Sequence, residues 1–219
     1  MFTSNQFMSS GIDNPETFRR LPQQARSRQR VDRILDVAAQ LFEEVGYEAV
    51  STDLIVKRAN ISIGSLYRFF PDKEAILHAL SERYAQQMRK LFTARFNPST
   101  INYPLAILLS EAIEDFDKFY TTQPGCREIM LRSRVSADLQ AVNKRVDHQI
   151  VEQLDNFLAL RQPQMNSQQR QLAALVSVEI ANALQLLSLS QDERLRLQLV
   201  AETKQVLIRY LQPLFDESI

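Results

Sequence analysis

This 219-residue sequence has one cysteine, four glycines and a formal charge of zero. With Cys126 alone, no intrachain disulfide can form. So few glycines, with apolar residues recurring at steps of three and four between the prolines, argue against a β-rich chain and make all-α the expected class. The opening MFTSNQFMSS is polar where a secretory signal would need an apolar core, so a cytoplasmic protein is expected. The most apolar long segment, around 172–189, is interrupted by Glu179, Asn182 and Gln185, which suits a buried or interfacial helix better than a membrane span. His78 and His148 have no close metal-ligand pattern, and no glycine-rich phosphate loop is present. No metal, no cofactor and no catalytic residue are therefore expected, and the protein is read as not an enzyme.

The zero net charge conceals an uneven distribution. Arg26, Arg28, Arg30 and Arg33 stand against the single acid Asp32, while Glu111, Glu114, Asp115 and Asp117 gather later in the chain. A basic stretch on a neutral protein suits a localised anionic partner, or else a solvated helix face.

Residues 1–24 mix polar residues with Gly11, Pro15 and Pro22 and carry no sustained period, so a flexible arm is expected there. From Arg28 to Val45 the apolar positions Val31, Ile34, Leu35, Ala38, Leu41, Phe42 and Val45 define a helix, and Gly46 is its expected stop. Ser51 is placed to cap a second short helix carrying Leu54, Ile55 and Ala59. Asn60, which tolerates a left-handed backbone, closes it. Ser62 caps a third, from Ile63 to Phe69 or Phe70, and Pro71-Asp72 opens a fourth. Longer helices are then expected at 72–95, 104–122, 124–133, 136–161, 167–189 and 192–214.

A helix-turn-helix needs a short exposed helix that fits the DNA major groove, with small or hydrogen-bonding residues in front and an apolar back. Residues 51–70 meet that need. Ser62, Gly64 and Ser65 keep the front low, Leu66 and Phe69 face inward, and Tyr67 and Arg68 can reach phosphates or base edges. Taken singly, each hydroxyl at a helix start is also a plain cap, and Phe70 reads as core.

Residues 28–77, RQRVDRILDVAAQLFEEVGYEAVSTDLIVKRANISIGSLYRFFPDKEAIL, resemble the N-terminal domain of the TetR family. The resemblance rests on IL-x-x-AA-x-LF-x-x-x-GY, the cap and second helix, IS-x-GSLYRFF, and P-D-K-E, all in register. It implies an N-terminal helix-turn-helix domain (25–73) and a C-terminal helical effector-binding and dimerisation domain (74–219). It also implies DNA contacts, largely to phosphates, from Ser51, Thr52, Ser62, Ser65, Tyr67 and Lys73. Arg28, Ile63, Gly64 and Arg68 complete the expected DNA-binding set. Lys73 in the first turn of its helix would share a phosphate with the open amides there. Three positions depart from the family's usual residues: Val56 for Ala, Asn60 for Gly, and Ile63 for a polar or basic residue. Ile63 could meet a thymine methyl.

The resemblance further implies a dimer through the helices near 167–189 and 192–214, a palindromic double-stranded operator, and a small-molecule effector that releases it. Phe92, Phe96, Phe116, Phe119, Tyr120, Met130, Phe157 and Asn182 are the candidate effector pocket, which points to an apolar or aromatic ligand; the competing reading is an ordinary aromatic core. Cys126 follows Pro124-Gly125 at a helix start and precedes Arg127, features that favour thiolate, so a redox-sensing regulator is the alternative to ligand sensing. A small buried hydrophobe is the other reading of that cysteine.

Overall fold

A computed structural model describes residues 25–216; the expected arm at 1–24 lies outside the described residues. Those residues form α1 (Ala25–Ala49), α2 (Thr52–Ala59), α3 (Ile63–Tyr67), α4 (Lys73–Arg95), α5 (Leu105–Thr122), α6 (Cys126–Arg132), α7 (Ala137–Arg161), α8 (Ser167–Leu189), α9 (Glu193–Leu211) and α10 (Pro213–Asp216), with one 3₁₀ turn at Pro98–Thr100. No strand occurs among the described residues, and the chain is all-α. The last expected helix, 192–214, is divided into α9 and α10. Pro213 lacks the N–H that would continue the ladder, so α9 ends at Leu211.

Two compact units meet within α4, after Gln86. In the first, α1 buries Val31, Ile34, Leu35, Ala38, Leu41 and Phe42 along one stripe. Gly46 takes φ 77°, ψ 155°, a positive-φ conformation open to glycine, and breaks α1 where a stop was expected. The break turns the backbone, so Val45 is left 51% exposed and Tyr47 packs on Phe42 instead, with ring centroids 5.2 Å apart. The third helix ends at Tyr67, short of the expected Phe69 or Phe70; Leu66 on its back, Phe69 and Phe70 in the turn that follows, and Ile76 and Leu80 of α4 are fully or almost fully buried. Burying a large apolar side chain is worth about 1.5–3 kcal/mol, so five such residues hold a very short helix in place.

In the second unit, α8 packs on α7 and α9, α5 packs on α9, and α6 lies against α5 and α8. The acids gathered on α5 have specific cationic partners. Arg95 pairs with Glu111 (2.5 Å) and Asp115 (2.6 Å), Arg196 with Asp117 (2.5 Å), and Lys204 with Glu114 (2.5 Å). They tie α5 to α4 and α9. By length and composition α8 is apolar enough to cross a membrane. Within the bundle its buried polar groups are satisfied: Ser177 donates to the Ala173 carbonyl, Ser188 to the Gln185 carbonyl, and the Gln185 amide to the Ile113 carbonyl.

Candidate DNA-binding face and effector cavity

The turn between α2 and α3 is built by three polar residues. Ser51, in extended conformation, accepts from the Leu54 N–H at 3.2 Å. Asn60 ends α2 in the left-handed region (φ 51°, ψ 54°). Ser62 then accepts from the Ser65 N–H at 3.2 Å and starts α3. A hydroxyl carries one donor besides its acceptor lone pairs, so capping leaves the Ser51 and Ser62 O–H groups able to donate to a phosphate oxygen. The cap and the DNA contact are compatible uses of one side chain.

On the outer face of α3, Ile63 is 40% and Tyr67 38% exposed, and Arg68 and Gly64 are also exposed. The Tyr67 hydroxyl lies 3.3 Å from the Thr52 hydroxyl, which brings α2 and α3 contributions onto one surface. A Cβ placed on Gly64 would meet nothing within 4 Å, and its φ is not positive. Neither internal packing nor backbone geometry requires glycine there. Arg28 is exposed on α1.

Lys73 has a more specific setting than its sequence position indicates. Its ammonium donates to the Tyr47 carbonyl at 2.8 Å and sits 4.1 Å from the centroid of the Tyr47 ring. The Asp72 carboxylate accepts from the Ala75 N–H at 2.8 Å, so one of the amides assigned to a phosphate already has an anionic partner.

The second unit holds a partly open cavity of about 180 Å³. Of the residues expected there, Phe92, Phe96, Phe116, Tyr120, Met130 and Asn182 line it; Phe119 and Phe157 do not. Phe157 meets Phe96 edge-on at 5.3 Å and fills the core behind it. Phe119 packs T-shaped on Tyr120, with centroids 6.2 Å apart. Both are buried side chains that support the wall from outside.

Gln185, which could border the cavity, face the dimer or face water by its sequence position, lines it, and so do Asn143 and Asp147, which sequence reasoning passed over. The signal lay on α7: Asn143 and Asp147 are four apart and sit directly beside Val142, Val146 and Ile150 of its buried stripe. Burial raises the Asp147 carboxyl above the ordinary carboxylate range; the Asn182 hydrogen bond opposes this, Glu179 adds to it and His148 opposes it. Burial likewise pushes the Tyr120 hydroxyl far up, so it is a neutral phenol. Cys126 has no exposed surface, so its sulfur lacks the access that a sensor thiol needs.

A short exposed helix held by an apolar back, beside a capped turn and a partner helix, defines a helix-turn-helix protein. The sequence pattern described as "Bacterial regulatory proteins, tetR family" matches residues 34–80, and "Tetracyclin repressor-like, C-terminal domain" matches 104–211. The repressor KstR of Rhodococcus jostii is 32% identical over 117 residues, covering 52% of this chain and 51% of that protein. KstR of Mycolicibacterium smegmatis is 31% identical over 122 residues, covering 55% and 57%. The chain thus spans about half the length of the curated relatives it matches. A TetR-family regulator from Streptomyces coelicolor superposes with TM-score 0.61 at 28% identity, covering 84% of this chain and 99% of that one. One from Pectobacterium atrosepticum has the same fold at TM-score 0.66 and 19% identity, covering 88% and 97%. The chain belongs to the TetR family of bacterial transcriptional regulators, DNA-binding proteins and not enzymes.

Proposed function

We propose that this protein is a cytoplasmic repressor that binds a palindromic operator as a homodimer and lets go when a small apolar or aromatic molecule enters the cavity. The observation that carries the sensing half is the cavity itself, walled by Phe92, Phe96, Phe116 and Leu109. A filled aromatic core would have left no such space. KstR, similar over half its length, is named a repressor, which supports the sign of regulation.

In this reading residues 25–73 hold the DNA and 74–219 bind the effector and the second subunit. Ser51, Thr52, Ser62, Ser65, Tyr67 and Lys73 take phosphates, joined by Arg28 and Arg68, while Ile63 and Gly64 meet the groove floor. Lys73 reaches a phosphate by leaving or sharing its Tyr47 contact. Leu172, Leu175 and Leu187 of α8 and Leu195, Leu197 and Val206 of α9 are exposed, an apolar surface on the two helices assigned to the dimer. Ligand shifts the equilibrium only by binding the DNA-incompetent dimer more tightly. The lever is α4, one continuous helix from Lys73 to Arg95, whose tilt would change the spacing of two recognition helices from the roughly 34–36 Å that successive major grooves require.

The test begins with duplexes selected from a random pool by the purified protein. Enrichment of a palindrome, a complex of two chains per duplex, loss of binding on Tyr67→Ala and weakening by 4-phenylbutan-1-ol are expected. Failure to enrich any duplex would overturn the DNA reading. Binding insensitive to every aromatic probe that occupies the cavity would overturn the sensing reading.

A further inference from the structure

The acids of the second unit divide into two kinds. Asp115, Asp117 and Asp155 each lie within 2.6 Å of an arginine nitrogen, from Arg95, Arg196 and Arg170 respectively. Asp147 has no such cation. Its partner is the neutral Asn182 amide, which donates to the carboxylate, and the nearby Glu179 is a like charge. His148 is the opposing group, on the exposed side of α7. A half-buried carboxylate facing an apolar space is costly, and the Asn182 amide and His148 offset that cost only in part, since burial still dominates.

The rest of the cavity has the same bias. No lysine, arginine or histidine is among its lining residues, so the only full charge on the wall is negative. Tyr120, buried with 7% of its surface exposed, lines the same space and adds a neutral phenol to it. Phe92, Phe96 and Leu109 give the wall an apolar part. A cavity of about 150 Å³ suffices for benzene, so 180 Å³ admits one ring and a short chain.

We propose that the cavity receives an aryl-alkyl amine: its ring lies on the Phe92–Phe96 side, and its ammonium is taken by the Asp147 carboxylate that Asn182 orients, with the Tyr120 oxygen accepting a further N–H. The inference rests on the ligand-sensing reading above and narrows its chemistry. An ammonium has three donors and no acceptor, which matches a site offering carboxylate and phenol oxygens. A carboxylate ligand would place a second negative charge beside Asp147 and Glu179 and is excluded on the same ground. Burial holds the Asp147 carboxyl above its ordinary range, and a bound cation reverses that shift by giving the ionised form its missing partner.

Three probes with one body decide it: 4-phenylbutylamine, 4-phenylbutyrate and 4-phenylbutan-1-ol, titrated calorimetrically into the full-length protein at neutral pH. A hydrogen bond to a charged group is worth about 1.5–3 kcal/mol, so the amine is expected to bind roughly 10- to 100-fold more tightly than the alcohol, with the butyrate weakest. Asp147→Asn should bring the amine's affinity down to the alcohol's, with an unchanged far-ultraviolet circular dichroism spectrum certifying the variant's fold. Should that variant not fold, the wild-type ranking stands as the test. Amine and alcohol binding alike, butyrate binding best, or an amine preference that survives Asp147→Asn would each overturn the proposal. If all three bind equally and release DNA, ligand sensing stands and the amine assignment falls. If none binds at millimolar concentration, both fall.

Discussion

Gly64→Ala is expected to move stability and DNA affinity in opposite directions. Gly64 lies inside α3, its φ is not positive, and a Cβ there would enter open space. Alanine therefore fits the folded backbone without strain, and it loses less conformational freedom on folding. The gain is about 0.5–1 kcal/mol per chain. Glycine's presence then has an external cause, which in the repressor reading is the close approach of DNA to this face. Forcing a methyl into a packed contact costs about 1–3 kcal/mol, and a dimer presents the position twice. Even the lower figure, about 2 kcal/mol for two copies, corresponds to a roughly thirtyfold weaker complex. Denaturant unfolding would report the first quantity, and fluorescence anisotropy on a selected duplex at fixed salt the second. Raised stability with unchanged DNA affinity would refute the assignment of this face to the groove. Lowered stability would refute the structural premise.

Two further perturbations address the second unit. Leu197 of α9 is 52% exposed, on the surface assigned to the dimer. Leu197→Glu buries an unpaired charge from each chain if that surface is the interface, a cost of about 3 kcal/mol or more, and sedimentation velocity should then show a monomer. A dimer that persists at micromolar concentration would place the interface elsewhere. Asp147→Asn should raise the melting temperature of the unliganded protein at neutral pH. Desolvation, the largest cause, raises the folded carboxyl above its 3.8 reference, so between those values the folded state holds a proton that the unfolded chain has lost. Stability accordingly declines as pH climbs through that window and is level above it. The variant lacks the decline, so its advantage should close as pH falls to 3.8. A wild type more stable than the variant at neutral pH would mean that the carboxylate is stabilised where it sits.

The helices, their caps and the helix-turn-helix were legible because they depend on residues close in sequence. Ser51 and Ser62 sit three residues ahead of the amides they serve, Asn60 supplies its own left-handed turn, and Gly46 its own break. Each of these is decided within four residues, the reach of a helical hydrogen bond. What required tertiary structure depended on residues brought together from far apart. Phe96 lines a cavity and Phe157 does not, although both are buried aromatics on regular apolar stripes, because the difference is the volume left after several helices have packed. Nothing local in the sequence pairs the acidic run on α5 with Arg95, Arg196 and Lys204, which reach it from α4 and α9. Lys73 reads as an open cation until the turn after Gly46 brings the Tyr47 ring and carbonyl to it. Asp147 has the same composition and neighbours in any helix; only enclosure by α5 and α8 makes it a charge in an apolar space. Periodicity and capping are properties of one segment, whereas empty volume, desolvation and ion pairing belong to the space between segments.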